Sequence, residues 1–199
     1  MSATVLETGI LKRLDLVSGG YFIYPANFWP HKNHDRLLTA FDTATRSGLS
    51  ESIKLVCTGA PGSRQTDPRD LAKSHGLDGR ICFPGYLPDS ELATLMAHAT
   101  GLIFPSLYEG FGLPIIEAMA VGVPVACSHG TALPKIAGNA AVLFDPTSTP
   151  QIAAAMLSLA QDEKMRNRLI QEGSARAREF SDTRRMATEY WGVFQDALA

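Results

Sequence analysis

Short apolar runs alternate along this chain with stretches whose apolar positions recur every three or four residues. The runs are Tyr21–Tyr24, Ile53–Cys57, Arg80–Phe83, Leu102–Phe104, Val123–Cys127 and Ala141–Phe144. They are strand-length and largely unbroken by polar residues, which predicts parallel strands covered on both faces. Between them, Leu37, Leu38 and Phe41 mark one helix, and a second covers about Asp67 to His75. Leu92, Leu95, Met96 and Ala99 mark a third, with Asp89 or Ser90 as its cap. A fourth runs from near Leu113 to about Val121. Beyond Asp145 the pattern is purely helical, with one stripe at Ile152, Ala155, Met156 and Leu159 and a last helix carrying Met186, Tyr190 and Phe194. The fold class is α/β: a single Rossmann-like domain with a parallel sheet flanked by helices. Residues 1–19 are weakly patterned and read as a linker or partly ordered segment.

Composition changes this picture little. With 199 residues, 45% hydrophobic and 19% charged, the chain can bury a core and is too apolar for extensive disorder. A net charge of −2 offers no basis for nucleic-acid binding. Cys57, Cys82 and Cys127 are odd in number, widely spaced and set in apolar runs, as buried free thiols are. No segment has the pattern of a membrane span or a secretory signal, so a cytoplasmic location is expected. Peripheral membrane association is an expectation for a longer, full protein only.

Ligands of such sheets bind outside the carboxyl ends of the strands. Pro25-Ala26-Asn27, Thr58-Gly59, Gly85-Tyr86, Ser106 to Gly112 and Ser128 to Thr131 all fall on that rim. In the segment Phe104 to Glu117, a strand passes through Gly110 and Gly112 into a helix, with Glu109 and Glu117 on either side. Backbone amides at such a turn suit an anion, and the carboxylates suit hydroxyls of whatever carries it. A plain strand-to-helix turn, with Glu117 merely favoured by the helix dipole, is the alternative. Lys32 at the rim is a ready phosphate ligand or simply a solvated lysine. His31 and His34 are spaced like metal ligands, but no carboxylate or cysteine completes a set, and Asn33-His34-Asp35 reads as a helix cap. His129 touches a ligand or makes a turn hydrogen bond, and lacks a nucleophile partner for a triad. Neither a phosphate-loop lysine motif nor GxGxxG follows the first strand, which argues against a nucleoside triphosphatase and a nicotinamide enzyme.

The stretches Tyr24 to His34, Phe83 to Tyr86, Phe104 to Gly122, Ser128 to Pro134, Gly138 to Ala141 and Phe144 to Pro146 together resemble one family. It is the nucleotide-sugar-binding, C-terminal half of the retaining GT-B glycosyltransferases of group 1 (family 4), matched over about residues 20 to 195. That resemblance implies transfer of a hexosyl group, in the mannose-linked subgroup a mannosyl one, from a GDP- or UDP-linked sugar to a saccharide or lipid-linked acceptor in polysaccharide biosynthesis. It implies that Lys32 holds the diphosphate and Glu109 contacts the donor sugar as the catalytic pair. Glu117 binds the ribose, and the backbone of Gly110, Phe111, Gly112 and Leu113 meets sugar and phosphate. Gly85, Tyr86 and Leu87 frame the base, while Asn27, His31, Gly59 and His129 complete the donor site. No cofactor and no metal are implied, because lysine, amides and helix dipole neutralise the leaving diphosphate.

The chain departs from the family pattern in three places. Ala26-Asn27 stands where Gly-Arg is common, Lys135 where an acidic residue is usual, and His129 where asparagine is frequent. The donor-binding domain is placed at 20–180, and 181–199 as a helix crossing toward an acceptor domain that this sequence lacks. An isolated chain is then expected to bind donor and transfer little. The rival readings are an epimerase or phosphorylase on the same architecture, and a non-catalytic nucleotide-sugar-binding module or partner subunit.

Overall fold

Strands buried on both faces are what the unbroken apolar runs demand, and the sheet is built that way. The computed structural model describes residues 9–60 and 68–182, with Thr188, Trp191, Phe194 and Gln195. Six strands, β1 (Tyr21–Pro25), β2 (Lys54–Thr58), β3 (Ile81–Gly85), β4 (Gly101–Phe104), β5 (Val125–Ser128) and β6 (Ala141–Phe144), pair in parallel in the order β3-β2-β1-β4-β5-β6. The central strands β1, β4 and β5 are almost wholly buried, whereas the edge strands β3 and β6 are only partly covered. This is the doubly wound arrangement, with its order reversing between β1 and β4.

Eight α-helices cover the sheet among the described residues: α1 (Gly9–Arg13), α2 (His34–Arg46), α3 (Pro68–Ser74), α4 (Asp89–Ala97), α5 (Leu113–Ala120), α6 (Leu133–Ala137), α7 (Thr149–Gln161) and α8 (Glu163–Glu179). Helix α2 turns Leu37, Leu38, Ala40, Phe41 and Ala44 inward and packs against α7 and α3. Helix α5 packs against α6 and α8. Ser148 caps α7 by accepting from the Gln151 N–H, and Asp162 ends α7 and caps α8 by accepting from Met165. These caps explain why one long helical stretch breaks in two.

Several expectations need revision. Residues 9–13 of the weakly patterned start form α1, whose Ile10 and Leu11 are buried, and Arg13 just beyond them makes paired hydrogen bonds of 2.8 and 2.7 Å to Glu91 of α4. Neither Asp89 nor Ser90 caps α4, because Pro88 occupies that position and both lie inside the first turn. Asn33 stands at the α2 N-cap in a left-handed conformation, but its side chain makes no cap bond. The expected last helix lies mostly outside the described residues; of those described in it, Trp191 and Phe194 are exposed. No described helix is long and apolar enough to cross a membrane.

Candidate donor-binding site

At the reversal between β1 and β4, two loops leave in opposite directions and open a crevice above the carboxyl ends. The β1 loop makes a tight 3-10 turn at Pro30–Lys32, with Pro30 presetting its backbone. The β4 loop runs from Pro105 to Gly112 and enters α5. Across the crevice Lys32 Nζ donates to Glu109 Oε1 at 2.6 Å, with side chains 19% and 13% exposed. Both charges are thus largely out of water, and each serves as the other's partner.

The loops are laced together by polar contacts. Leu107 N–H donates to the His31 carbonyl at 2.8 Å. Asn33 Nδ2 donates to the carbonyls of Pro105 at 3.0 Å and Pro146 at 2.8 Å, so one amide joins the ends of β1, β4 and β6. The Tyr24 hydroxyl lies 2.8 Å from the Lys32 carbonyl and 2.9 Å from Ser106 Oγ. Ser128 Oγ donates to the Ser106 carbonyl at 2.7 Å, and Glu109 N–H donates to Thr131 Oγ1 at 3.2 Å.

Beside the ion pair is an open cleft of about 490 Å³ whose wall includes Asn27, Trp29, His31, Lys32, Gly59, Tyr86, Leu87 and Asp89. The chain therefore brings six of the sequence-predicted positions to one wall. Gly59 has φ +128°, and a Cβ there would lie 2.4 Å from the Ala26 carbonyl oxygen. Only glycine permits that approach of β1 to β2. Its N–H donates to the Gly85 carbonyl at 2.8 Å, linking the ends of β2 and β3. Asn27 accepts from the Ala60 N–H at 2.8 Å through its side-chain oxygen, and its amide nitrogen meets no acceptor among the described residues. Tyr86 is exposed on the rim, while Leu87 is buried below it.

The glycine turn and Glu117 lie outside that wall, on the α5 side. Gly112 has φ +93°, with Leu133 Cδ2 2.6 Å from where a Cβ would stand. Gly110 is different: its φ is not positive and a Cβ would meet nothing within 4 Å. Phe111 packs edge-on against Phe180 beyond α8, at 5.7 Å between ring centroids, and Leu113 is exposed. Among the described residues, the N–H groups of Gly110, Phe111, Gly112 and Leu113 meet no protein acceptor. Four free amides at a helix start favour an anion. Burial raises the Glu117 carboxyl above its usual range, and the charge of Asp89 adds to this.

His129 is exposed at the end of β5, where its N–H donates to the Phe144 carbonyl. Hydrogen bonds from Thr147 hold Asp145 below the ordinary carboxylate range, and His129 and Arg36 deepen the effect. His34 is wholly buried against Tyr24 and Phe28, and neither ring nitrogen makes a well-formed hydrogen bond among the described residues. Burial lowers its pKa to about 4, the Ala26 backbone acting in the opposite direction. No group of three potential metal ligands exists among the described residues.

Sequence reasoning overlooked Tyr24 and Asp89 as site components, and placed Ser106 and Ser128 on the rim without a role. Tyr24 reads as core in a run of aromatics, and nothing local marks its hydroxyl. Trp29, 47% exposed on the cleft wall, had a signal, since a large aromatic in a polar loop needs a reason to be there.

Residues 17–176 match the family model described as glycosyl transferases group 1. The O-antigen chain mannosyltransferase B of Escherichia coli is 36% identical over 172 residues, covering 86% of this chain and 45% of that protein. The MMP alpha-(1->4)-mannosyltransferase of Mycolicibacterium hassiacum is 37% identical over 116 residues, covering 57% of this chain and 28% of that one. The chain thus spans less than half the length of these relatives. Among solved structures, Anabaena Alr3699/HepE in complex with UDP and glucose superposes with a TM-score of 0.84 at 17% identity, covering 98% of this chain and 53% of that one. The C-terminal domain of the group 1 family protein LpcC from Francisella tularensis gives 0.71 at 26%, covering 80% and 84%.

Proposed function

Because the chain belongs to the group 1 glycosyl transferase family, we propose that it binds a nucleoside-diphosphate sugar as the donor half of a retaining hexosyltransferase. The observation that carries this reading is the Lys32–Glu109 pair at the strand reversal, beside the four unpaired amides of residues 110–113. A diphosphate needs positive charge and donors that require no rearrangement, and the lysine and amides offer both. As the bond to the sugar breaks, negative charge grows on the leaving phosphate, and Lys32 and the α5 start stabilise it. Glu109 then accepts from donor-sugar hydroxyls, and Glu117 from the ribose. Gly85, Tyr86 and Leu87 flank the base, and Asn27 Nδ2 supplies a donor where an arginine is common. The chemistry proposed uses no metal or cofactor. Mannose is the favoured sugar, because both curated relatives above are named mannosyltransferases. The acceptor is a saccharide or lipid-linked saccharide held by a second domain. A cytoplasmic location completes the reading.

Calorimetry with GDP, UDP and their mannose and glucose conjugates tests it. Wild type is expected to bind a nucleoside diphosphate, and Lys32→Ala and Glu117→Ala to weaken that binding. Binding indifferent to both substitutions overturns the site.

A further inference from the structure

One buried hydroxyl crosses the strand reversal. Tyr24 is 0% exposed in β1, its ring set edge-on to Phe104 at 5.4 Å and tilted on His34 at 4.9 Å. A phenylalanine would fill this apolar seat equally well, so the hydroxyl needs its own explanation. Its partners fix the direction of its bonds. The Lys32 carbonyl can only accept, so the Tyr24 O–H donates to it at 2.8 Å, and Ser106 Oγ then donates to Tyr24 at 2.9 Å. The Ser106 carbonyl is held in turn by Ser128 Oγ at 2.7 Å. Ser106 is thus held through its carbonyl by the end of β5, while its hydroxyl and that of Tyr24 link the β4 loop to the backbone of the residue carrying the ammonium.

We propose that Tyr24 is a positioning residue for diphosphate recognition: its hydroxyl, seated between Ser106 and the Lys32 carbonyl, sets the Lys32 ammonium against the loop that bears Glu109 and the free amides. The inference rests on the donor-site reading above. Lys32 is the last residue of a three-residue turn that is also held by backbone bonds, among them Leu107 N–H to the His31 carbonyl, and by the pairing of its ammonium with Glu109. Fixing its carbonyl limits the arc the side chain sweeps, and geometric tolerance at a phosphate is narrow.

Tyr21 supplies an internal control. It lies in the same strand, is equally buried, and donates to the Leu95 carbonyl at 2.7 Å, away from the crevice. The test measures by calorimetry the affinities of GDP against GMP, and UDP against UMP, for wild type, Tyr24→Phe, Ser106→Ala and Tyr21→Phe, with melting temperature in parallel. Tyr24→Phe and Ser106→Ala are expected to reduce the diphosphate-over-monophosphate preference about tenfold, the scale of a lost charge-positioning hydrogen bond. Tyr21→Phe should lower the melting temperature and leave the preference intact. With Lys32→Ala already present, Tyr24→Phe should cost nothing further, because it acts through the lysine. If Tyr24→Phe behaves like Tyr21→Phe, the positioning role is overturned while the donor site stands. If Lys32→Ala binds diphosphate as wild type does, or wild type binds none, the donor-site reading falls and this inference with it. Should Tyr24→Phe fail to fold, Ser106→Ala reads the other end of the same link.

Discussion

Lys32 Nζ and Glu109 Oε1 stand 2.6 Å apart, although their residues leave different strands and lie 77 positions apart. The ammonium that is proposed to meet the donor diphosphate is therefore already occupied by the carboxylate proposed to meet the donor sugar. Binding must exchange partners: Lys32 turns to phosphate as Glu109 turns to the sugar hydroxyls. Glu109→Gln removes the competing charge. It is expected to tighten nucleoside diphosphate binding about fivefold, near 1 kcal/mol, while erasing any added affinity for the sugar conjugate. Weaker binding of the bare diphosphate by this variant would show that the pair does not compete with the ligand.

The glycines of the site divide by what a methyl group would strike. Gly59→Ala places Cβ against the Ala26 backbone at a φ of +128°, and a loss of about 3 kcal/mol or more in urea unfolding is expected. Gly112→Ala meets the movable tip of Leu133 at a φ of +93°, for a cost of about 1–2 kcal/mol and weaker diphosphate binding. Gly110→Ala has open space and no positive φ, so its stability should stay within about 0.5 kcal/mol of wild type.

His34 gives stability a defined pH dependence. Its folded pKa is about 4, against an ordinary 6.5. The unfolded chain therefore holds more protons between these values, and stability present above pH 6.5 is lost as pH falls toward 4. Urea unfolding at pH 4.5 should give roughly 2–3 kcal/mol less than at pH 7.5 from this residue. His34→Phe, which keeps an aromatic ring between Tyr24 and Phe28, should remove that part of the slope. An unchanged slope would place the acid sensitivity elsewhere.

Burial raises the Glu117 carboxyl above its usual range, and the charge of Asp89 adds to the effect. A ribose diol is best accepted by the ionised form, so affinity should begin to fall at a higher pH than an ordinary glutamate would impose. Asp89→Asn should move this acidic limb to lower pH without abolishing it, since burial persists. Nucleotide affinity across the acidic range, with an NMR titration of the Glu117 carboxyl, reads both.

Much of the sheet was legible because a run such as Tyr21–Tyr24 has no polar residue to place in water. The α6 segment Leu133–Ala137 was not, since five residues with a proline in the first turn carry too little period to register. Helix α8 lies in the stretch read as helical beyond Asp145 but was not set apart from α7, because its buried positions are Leu169, Gly173 and Ala177, and small residues leave no apolar stripe. In the site, strand ends alone placed Lys32 and Glu109 on one rim. Their pairing was hidden because it depends on two loop conformations set by distant contacts, Leu107 to His31 and Asn33 to Pro105.

The edge-on contact of Phe111 with Phe180 sets a practical limit on where this fold can be cut. The family match stops at residue 176, four positions before that aromatic partner. Arg176 itself donates to the carbonyls of Lys135 and Ile136 and stacks over Phe180 at 4.8 Å. A polypeptide trimmed to the homology boundary would keep every residue assigned to the ligand, yet leave the glycine turn without the ring it leans on. The working edge of the domain is a side chain beyond the last matched position.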